Sequence, residues 1–100
     1  MSSNISISSP FLRAFTHADV TAGVAAAELL AAAVTPERRI VVIIQNKSTS
    51  ASIQVILAAT GSVGIYVPPL GNISIDNYNG AVRVIASAAA TPVHIAYAVA

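Results

Sequence analysis

The sequence predicts an all-β domain of the sandwich or small-barrel kind, preceded by an extended N-terminal arm. Three observations lead there. Valine and isoleucine supply 24 of the 100 residues. From residue 38 onward, apolar residues recur at alternate positions in short runs, the period of a strand with one face buried. Turn-forming clusters separate these runs at intervals of roughly ten residues, the spacing of sandwiches and small barrels. A chain of this length makes one domain.

The elements follow in order. Residues 1–16 read as the arm and 17–100 as the domain. Within the arm, Ile5 and Ile7 alternate with polar neighbours up to Pro10, and Phe11, Arg13 and Phe15 follow at alternate positions. Two readings stand for this segment. It is a first strand giving Phe11 and Phe15 to the domain's own core, or an arm that docks on a neighbour. Termini stay disordered unless something ties them down. On the second reading Ile5, Ile7, Phe11, Arg13 and Phe15 are the candidate partner contacts.

Between Ala22 and Val34 the composition pulls toward helix. Ala22–Ala33 holds seven alanines and two leucines, and both types have high helix propensity. The apolar positions there show neither a clean helical period nor a clean alternation. After Arg38-Arg39, read as a solvated pair of charges, Ile40–Ile44 is apolar on both faces. That pattern fits a strand in mid-sheet, packed on each side. Residues 45–50 form a polar turn. Ile53, Val55 and Leu57 then share a face, as do Val63, Ile65 and Val67 after the loop Ala58–Gly61. Pro69 and Gly71 fit the second and fourth positions of a type I turn. Ile73 and Ile75 alternate before Asn79-Gly80, which predicts a type I′ hairpin. Val82 and Val84 follow. The last strand spans Thr91–Val99, with Val93, Ile95, Tyr97 and Val99 on one face and His94, Ala96 and Ala98 on the other.

Composition excludes several functions. There is no cysteine, so neither a disulfide scaffold nor a thiolate metal site is available. A formal charge of +1 lacks the clustered basic footprint of a nucleic-acid binder. No apolar run reaches the ~20 residues of a spanning helix, and the polar start has no basic residue, unlike a secretory signal. A soluble protein made in a reducing cytoplasm is expected, without membrane or nucleic-acid partners. Only 9% of residues are charged, against about 25% in ordinary domains. Interfaces between subunits are depleted in charge in this way, so a homo-oligomer is expected.

The search for chemistry argues against an enzyme. The four acids, Asp19, Glu28, Glu37 and Asp76, are scattered along the chain. No G-x-S-x-G elbow and no phosphate-binding loop exists. His17 and His94 are the only imidazoles, and neither lies three or four residues from another ligand. No metal, cofactor or catalytic residue is expected.

One resemblance runs through about residues 19–98. It is carried by Val20-Thr21-Ala22-Gly23, Ala27–Ala32, Arg38–Ser48 and Ile53-Gln54-Val55, then by Pro69-Leu70-Gly71, Tyr78-Asn79-Gly80 and Val82–Ala86. In its hydrophobic and turn pattern the chain resembles small virion proteins of tailed bacteriophages: head decoration (cement) proteins, head fibres and tail accessory proteins. The resemblance implies a β-sandwich or jelly roll, often trimeric, without enzyme activity. It implies that Ala27–Ala32 is a strand at a sheet edge, against the local helix propensity. It also implies synthesis in the bacterial host cytoplasm, a final place on the capsid surface, and the major capsid protein or another virion protein as partner. Pro69-Leu70-Gly71 stands where the family usually has a Pro-Gly-Gly-like turn. A competing reading is a carbohydrate- or receptor-binding module of a fibre or tail, with Tyr66, Tyr78, Asp76, Asn77 and Asn79 as sugar contacts.

Overall fold

The computed structural model describes residues 14–34 and 38–99, and all regular structure among them is β-strand. The strands are β1 (Thr16–Ala22), β2 (Ala27–Leu30), β3 (Arg39–Asn46), β4 (Ile53–Ile56), β5 (Ile65–Val67), β6 (Asn72–Asp76), β7 (Val82–Ala86) and β8 (Thr91–Val99). They form two four-stranded antiparallel sheets, ordered β1-β8-β3-β6 and β2-β7-β4-β5. Only β4 and β5 are consecutive neighbours within a sheet; every other connection crosses from one sheet to the other.

The alternation read from the sequence sets which side of each strand faces inward. Val42, Ile44, Val93 and Ile95 of the first sheet meet Ile53, Val55, Val67, Val82 and Val84 of the second in one core. Each is 2 % exposed or less. Val20, Leu29, Leu30, Ile73, Ile75 and Tyr97 pack around its margin. β-Branched side chains suit this role, since their restricted rotamers fit a pleated surface. The expectation that Ile40–Ile44 is packed on each side is corrected. Val42 and Ile44 are buried, but Val41 and Ile43 face outward and are half-buried, and Ile40 is exposed. No second layer of the described chain covers that face.

The alanine-rich stretch is strand and loop, not helix. β2 lies at the edge of the second sheet, paired only with β7. Main-chain hydrogen bonds to β7, and the burial of Leu29 and Leu30 at the margin of the core, outweigh the local preference of Ala27 and Leu30 for helix.

Arg39 departs from the expected solvated pair. Arg38 is exposed, whereas Arg39 is 3 % exposed. The pairing of β3 with β8 shifts register between Arg39 and Val41, and such a shift reverses which face a side chain takes. Arg39 is thereby turned onto the inner side, in line with Val42 and Ile44. Its guanidinium donates to the carbonyl oxygens of Gly80 (2.7 Å) and Ala31. It also lies 5.8 Å from the centre of the Tyr97 ring. Asn79 Oδ1 accepts the Arg39 backbone N–H at 2.7 Å. Arg39 thus ties the segment after β2 and the segment before β7 to the start of β3.

Two turns also differ from expectation. Gly71 N–H donates to Pro68 O at 2.9 Å, closing a turn in which Leu70 has φ 62°. Positive φ at the third position defines type II rather than type I. Asn79-Gly80 is not a hairpin, because β6 and β7 belong to different sheets. The positive φ falls on Asn77 (57°) instead. A β-carbon at Gly80 would meet the Tyr78 hydroxyl, so the ring, whose hydroxyl donates to Ala81 O at 2.8 Å, would have to shift to admit one.

Candidate functional site

The structure assembles one cluster of ionisable side chains that the sequence scatters. β1 runs antiparallel to β8 with Asp19 opposite His94 and His17 opposite Ala96. Residues two apart on a strand share a face, so His17 and Asp19 flank His94 on the outer side of the first sheet. His94 Nδ1 lies 2.7 Å from Asp19 Oδ1, and His94 Nε2 lies 2.9 Å from His17 Nδ1. Lys47, just beyond β3, is anchored by its N–H to Pro92 O at 3.0 Å and brings Nζ to 3.4 Å from Asp19 Oδ1. The Phe15 ring lies 6.2 Å from the His17 ring, tilted by 35°.

The electrostatics follow from these contacts. The hydrogen bond from His94, then the hydrogen bond and charge of Lys47, hold the Asp19 carboxyl below its ordinary value of 3.8. With Asp19 ionised, the His94 Nδ1 carries a proton and donates it to the carboxylate. A neutral His94 then presents the Nε2 lone pair toward His17. Asp19 therefore fixes the tautomer and orientation of His94. The arrangement has no hydroxyl or thiol nucleophile among these contacts. Among the described residues, no group of three or more histidine, aspartate or glutamate side chains converges on one metal position.

Of the expected partner contacts, Ile5, Ile7, Phe11 and Arg13 lie outside the described residues. Phe15 immediately precedes β1, is 36 % exposed and rests against His17 rather than in the core. Of the expected sugar-binding residues, Asp76, Asn77, Tyr78 and Asn79 are contiguous at and after the end of β6. Tyr66 is on β5, the edge strand of the second sheet among the described residues, and Tyr78 follows β6 of the first. The Tyr78 hydroxyl and the Asn79 carboxamide oxygen are occupied within the fold.

The sequence missed the Asp19–His94–His17 cluster because 75 residues separate Asp19 from His94. Only the spacing His17-x-Asp19 marks one face in advance; the register of β1 on β8 supplies the rest. A shallow hollow of about 110 Å³, lined by Ser52, Gln54, Ile85 and Ser87 among others, opens on the second sheet. It is smaller than the ~300–1,000 Å³ typical of small-molecule pockets.

Exposed apolar side chains are unevenly distributed. Val63, Ile65, Tyr66 and Leu70 fall between residues 63 and 70, along and just beyond β5, the edge strand of the second sheet among the described residues, with 85, 45, 63 and 61 % exposure. No helix among the described residues is long and apolar enough to cross a membrane. No protein-family model matches this chain, and no curated protein matches it either.

Proposed function

We propose that the protein is a non-enzymatic structural component of a bacteriophage virion, a decoration protein that binds the assembled head and stabilises it. The observation that carries this reading is the apolar edge from Val63 to Leu70, at the end of the second sheet among the described residues, on a body with few charges. A strand edge offers unpaired N–H and C=O groups, and natural proteins normally blunt such edges with charge, proline or a cover. Here β5 is three residues long and Pro68-Pro69 follow it, but hydrophobic side chains and no charges border it, and such a border suits docking by strand addition. The strand orders β1-β8-β3-β6 and β2-β7-β4-β5 support a jelly-roll assignment, since that fold has eight strands in two sheets with nearly all connections crossing. Jelly rolls recur in viral capsid proteins, and the sequence resemblance to small phage virion proteins points the same way.

On this reading the copies assemble as a trimer, and the arm at residues 1–16 reaches the major capsid protein or another virion protein. The role is mechanical. A ligand that binds only the assembled shell shifts the assembly equilibrium toward it.

Capsids of the encoding phage that lack this protein provide the test. The purified chain should co-sediment with them at saturable stoichiometry and raise their melting temperature. A variant lacking residues 1–15 should keep its own thermal transition and lose the binding. Failure to bind heads, together with binding to a glycan array, would replace this reading with a receptor-binding one.

A further inference from the structure

We propose that copies of this chain meet side to side, the β5–β6 side of one sandwich against the β1–β2 side of the next, and that three such contacts close a ring. The number three rests on the trimer proposed above; the contact itself involves no head.

The two sides are opposite. Residues 23–26 join β1 to β2, and residues 68–71 join β5 to β6. A link of four residues reaches at most ~14 Å, little more than the ~10 Å between packed sheets. β1 therefore stacks on β2 along one side of the sandwich, and β6 on β5 along the other. The exposed large apolar side chains follow this division. Phe15, just before β1, and Val24, in the link to β2, lie along the first side; Val63, Ile65, Tyr66 and Leu70 lie along the second. Val34 and Ile40, the other two among the described residues, flank the link from β2 to β3. Two different apolar surfaces on opposite sides of one molecule suit a heterologous contact, which makes a ring when the rotation closes.

Strand direction permits that rotation. Every pairing in the first sheet is antiparallel, so β1 and β3 run one way and β8 and β6 the other. Its two edge strands among the described residues, β1 and β6, thus run oppositely. A rotation about an axis along the strands leaves their directions unchanged. It brings β6 of one copy beside β1 of the next as an antiparallel pair. These edges also lack the usual guards against pairing. β1 holds seven residues in unbroken register on β8, and β6 holds five; neither contains proline, lysine or arginine. β2 carries a register shift and β5 is three residues long, so in the second sheet side chains meet rather than backbones.

The side chains choose the register. Ala18 and Val20 lie opposite the core residues Ile95 and Val93, and Ile73 and Ile75 lie opposite Ile44 and Val42. All four are therefore on the inner side, yet Ala18 is exposed and the other three are only half-buried. Setting Ile75 against Ala18 of the next copy, and Ile73 against Val20 of that copy, continues the core layer across the joint. The same register sets the Asp76 carboxylate opposite His17 of the next copy on the outer side. A shift of two residues one way would set Asp76 opposite Asp19, and like charges directly opposite disfavour pairing. A shift of two the other way would set Val20 opposite Gly71, with no side chain to pack.

The test uses the absence of cysteine from the chain. Opposed residues of antiparallel strands have Cα atoms ~4.5–5.5 Å apart, within the ~4.4–6.8 Å that a disulfide spans. Inside one copy β8 and β3 separate β1 from β6, three strand spacings or ~14 Å, so no disulfide forms within a chain. The full chain carrying Ala18→Cys and Ile75→Cys should, on mild oxidation, give covalent dimers and then trimers on a non-reducing gel, with the trimer as end point. Reduction should return the monomer band. Val20→Cys with Ile73→Cys reads the same register and stands in if circular dichroism shows the first pair unfolded. Each single variant should stay uncrosslinked, as should the offset pair Ala18→Cys with Ile73→Cys. Three results would each overturn the proposal: no product from either double variant beyond that of its single variants, dimers from a single variant, which mean a twofold contact between like strands, or a ladder running past three copies. Loss of head binding with the trimer intact would strike the virion reading and leave this contact standing.

Discussion

The side-chain amide of Asn46 donates to the carbonyl of Ala51 at 2.8 Å in the interior of the fold, where Asn46 itself is 0 % exposed. The same Nδ2 reaches Pro68 O at 3.1 Å, and Oδ1 accepts Ser48 N–H at 3.0 Å. Asn46 N–H donates to Gly71 O at 2.8 Å. One residue thus closes the connection from β3 to β4 and pins it to the connection from β5 to β6. Satisfying all of its polar atoms is what makes a buried amide tolerable in this position.

Asn46→Leu should therefore be severely destabilising despite similar size. It would leave the Ala51 carbonyl and the Ser48 N–H without their partner, at about 1–3 kcal/mol for each group that water cannot reach, while Pro68 O keeps its bond from Gly71 N–H. We expect a loss of about 3 kcal/mol in urea unfolding. A loss below about 1 kcal/mol would show that water replaces the amide.

Arg39 is expected to behave as a structural cation. Arg39→Ala removes two hydrogen bonds and the packing on Tyr97. Charged hydrogen bonds contribute ~1.5–3 kcal/mol each, and 1 kcal/mol moves the melting temperature of a domain of this size by about 4–8 °C. A fall of 10 °C or more should follow. Arg39→Lys should recover only part of it, because one ammonium lacks the planar fork that spans two carbonyls.

Leu70→Gly should separate stability from binding. Leu70 holds φ 62° with its side chain 61 % exposed. A left-handed conformation costs a branched residue roughly 1–2 kcal/mol, and the extra freedom of glycine in the unfolded chain returns part of that. The variant should melt at an equal or higher temperature. If Leu70 belongs to the docking edge, the same variant should bind capsids more weakly. Unchanged binding would move the interface elsewhere.

Light scattering of the purified chain should give a mass near three times 10.1 kDa. Ile65→Lys with Tyr66→Lys, both on exposed positions of β5, should lower that mass or abolish capsid binding while leaving the fold intact. A stable monomer from the unaltered chain would end the trimer proposal.

Gly64→Ala should cost stability through sterics alone. A β-carbon at residue 64 would run into the Val55 carbonyl, where Gly64 N–H also donates to Gln54 Oε1 at 2.9 Å. Circular dichroism melting should show a clear drop, whereas Gly23→Ala, which meets no atom within 4 Å, should leave the midpoint nearly unchanged.

The sequence by itself determined that the chain from Ile40 to Val99 is a succession of strands and, for β6, β7 and β8, which side faces inward; it misread Ile40–Ile44 as buried on both faces, and Val63 and Ile65, read with Val67 on one face, are exposed. A strand's side chains alternate strictly, so the pattern Val93, Ile95, Tyr97 against His94, Ala96, Ala98 names a buried and an outer side before any partner is known. It did not determine β2, because alanine and leucine favour helix locally and only pairing with β7 decides otherwise. It did not determine Arg39, whose inward turn depends on a register shift against β8. Nor did it determine the Asp19–His94–His17 cluster. Local pattern carries the preferences of residues a few positions apart. Contacts across 75 residues depend on which strands lie side by side and in what register, and that is fixed only when two complete sheets close over one core.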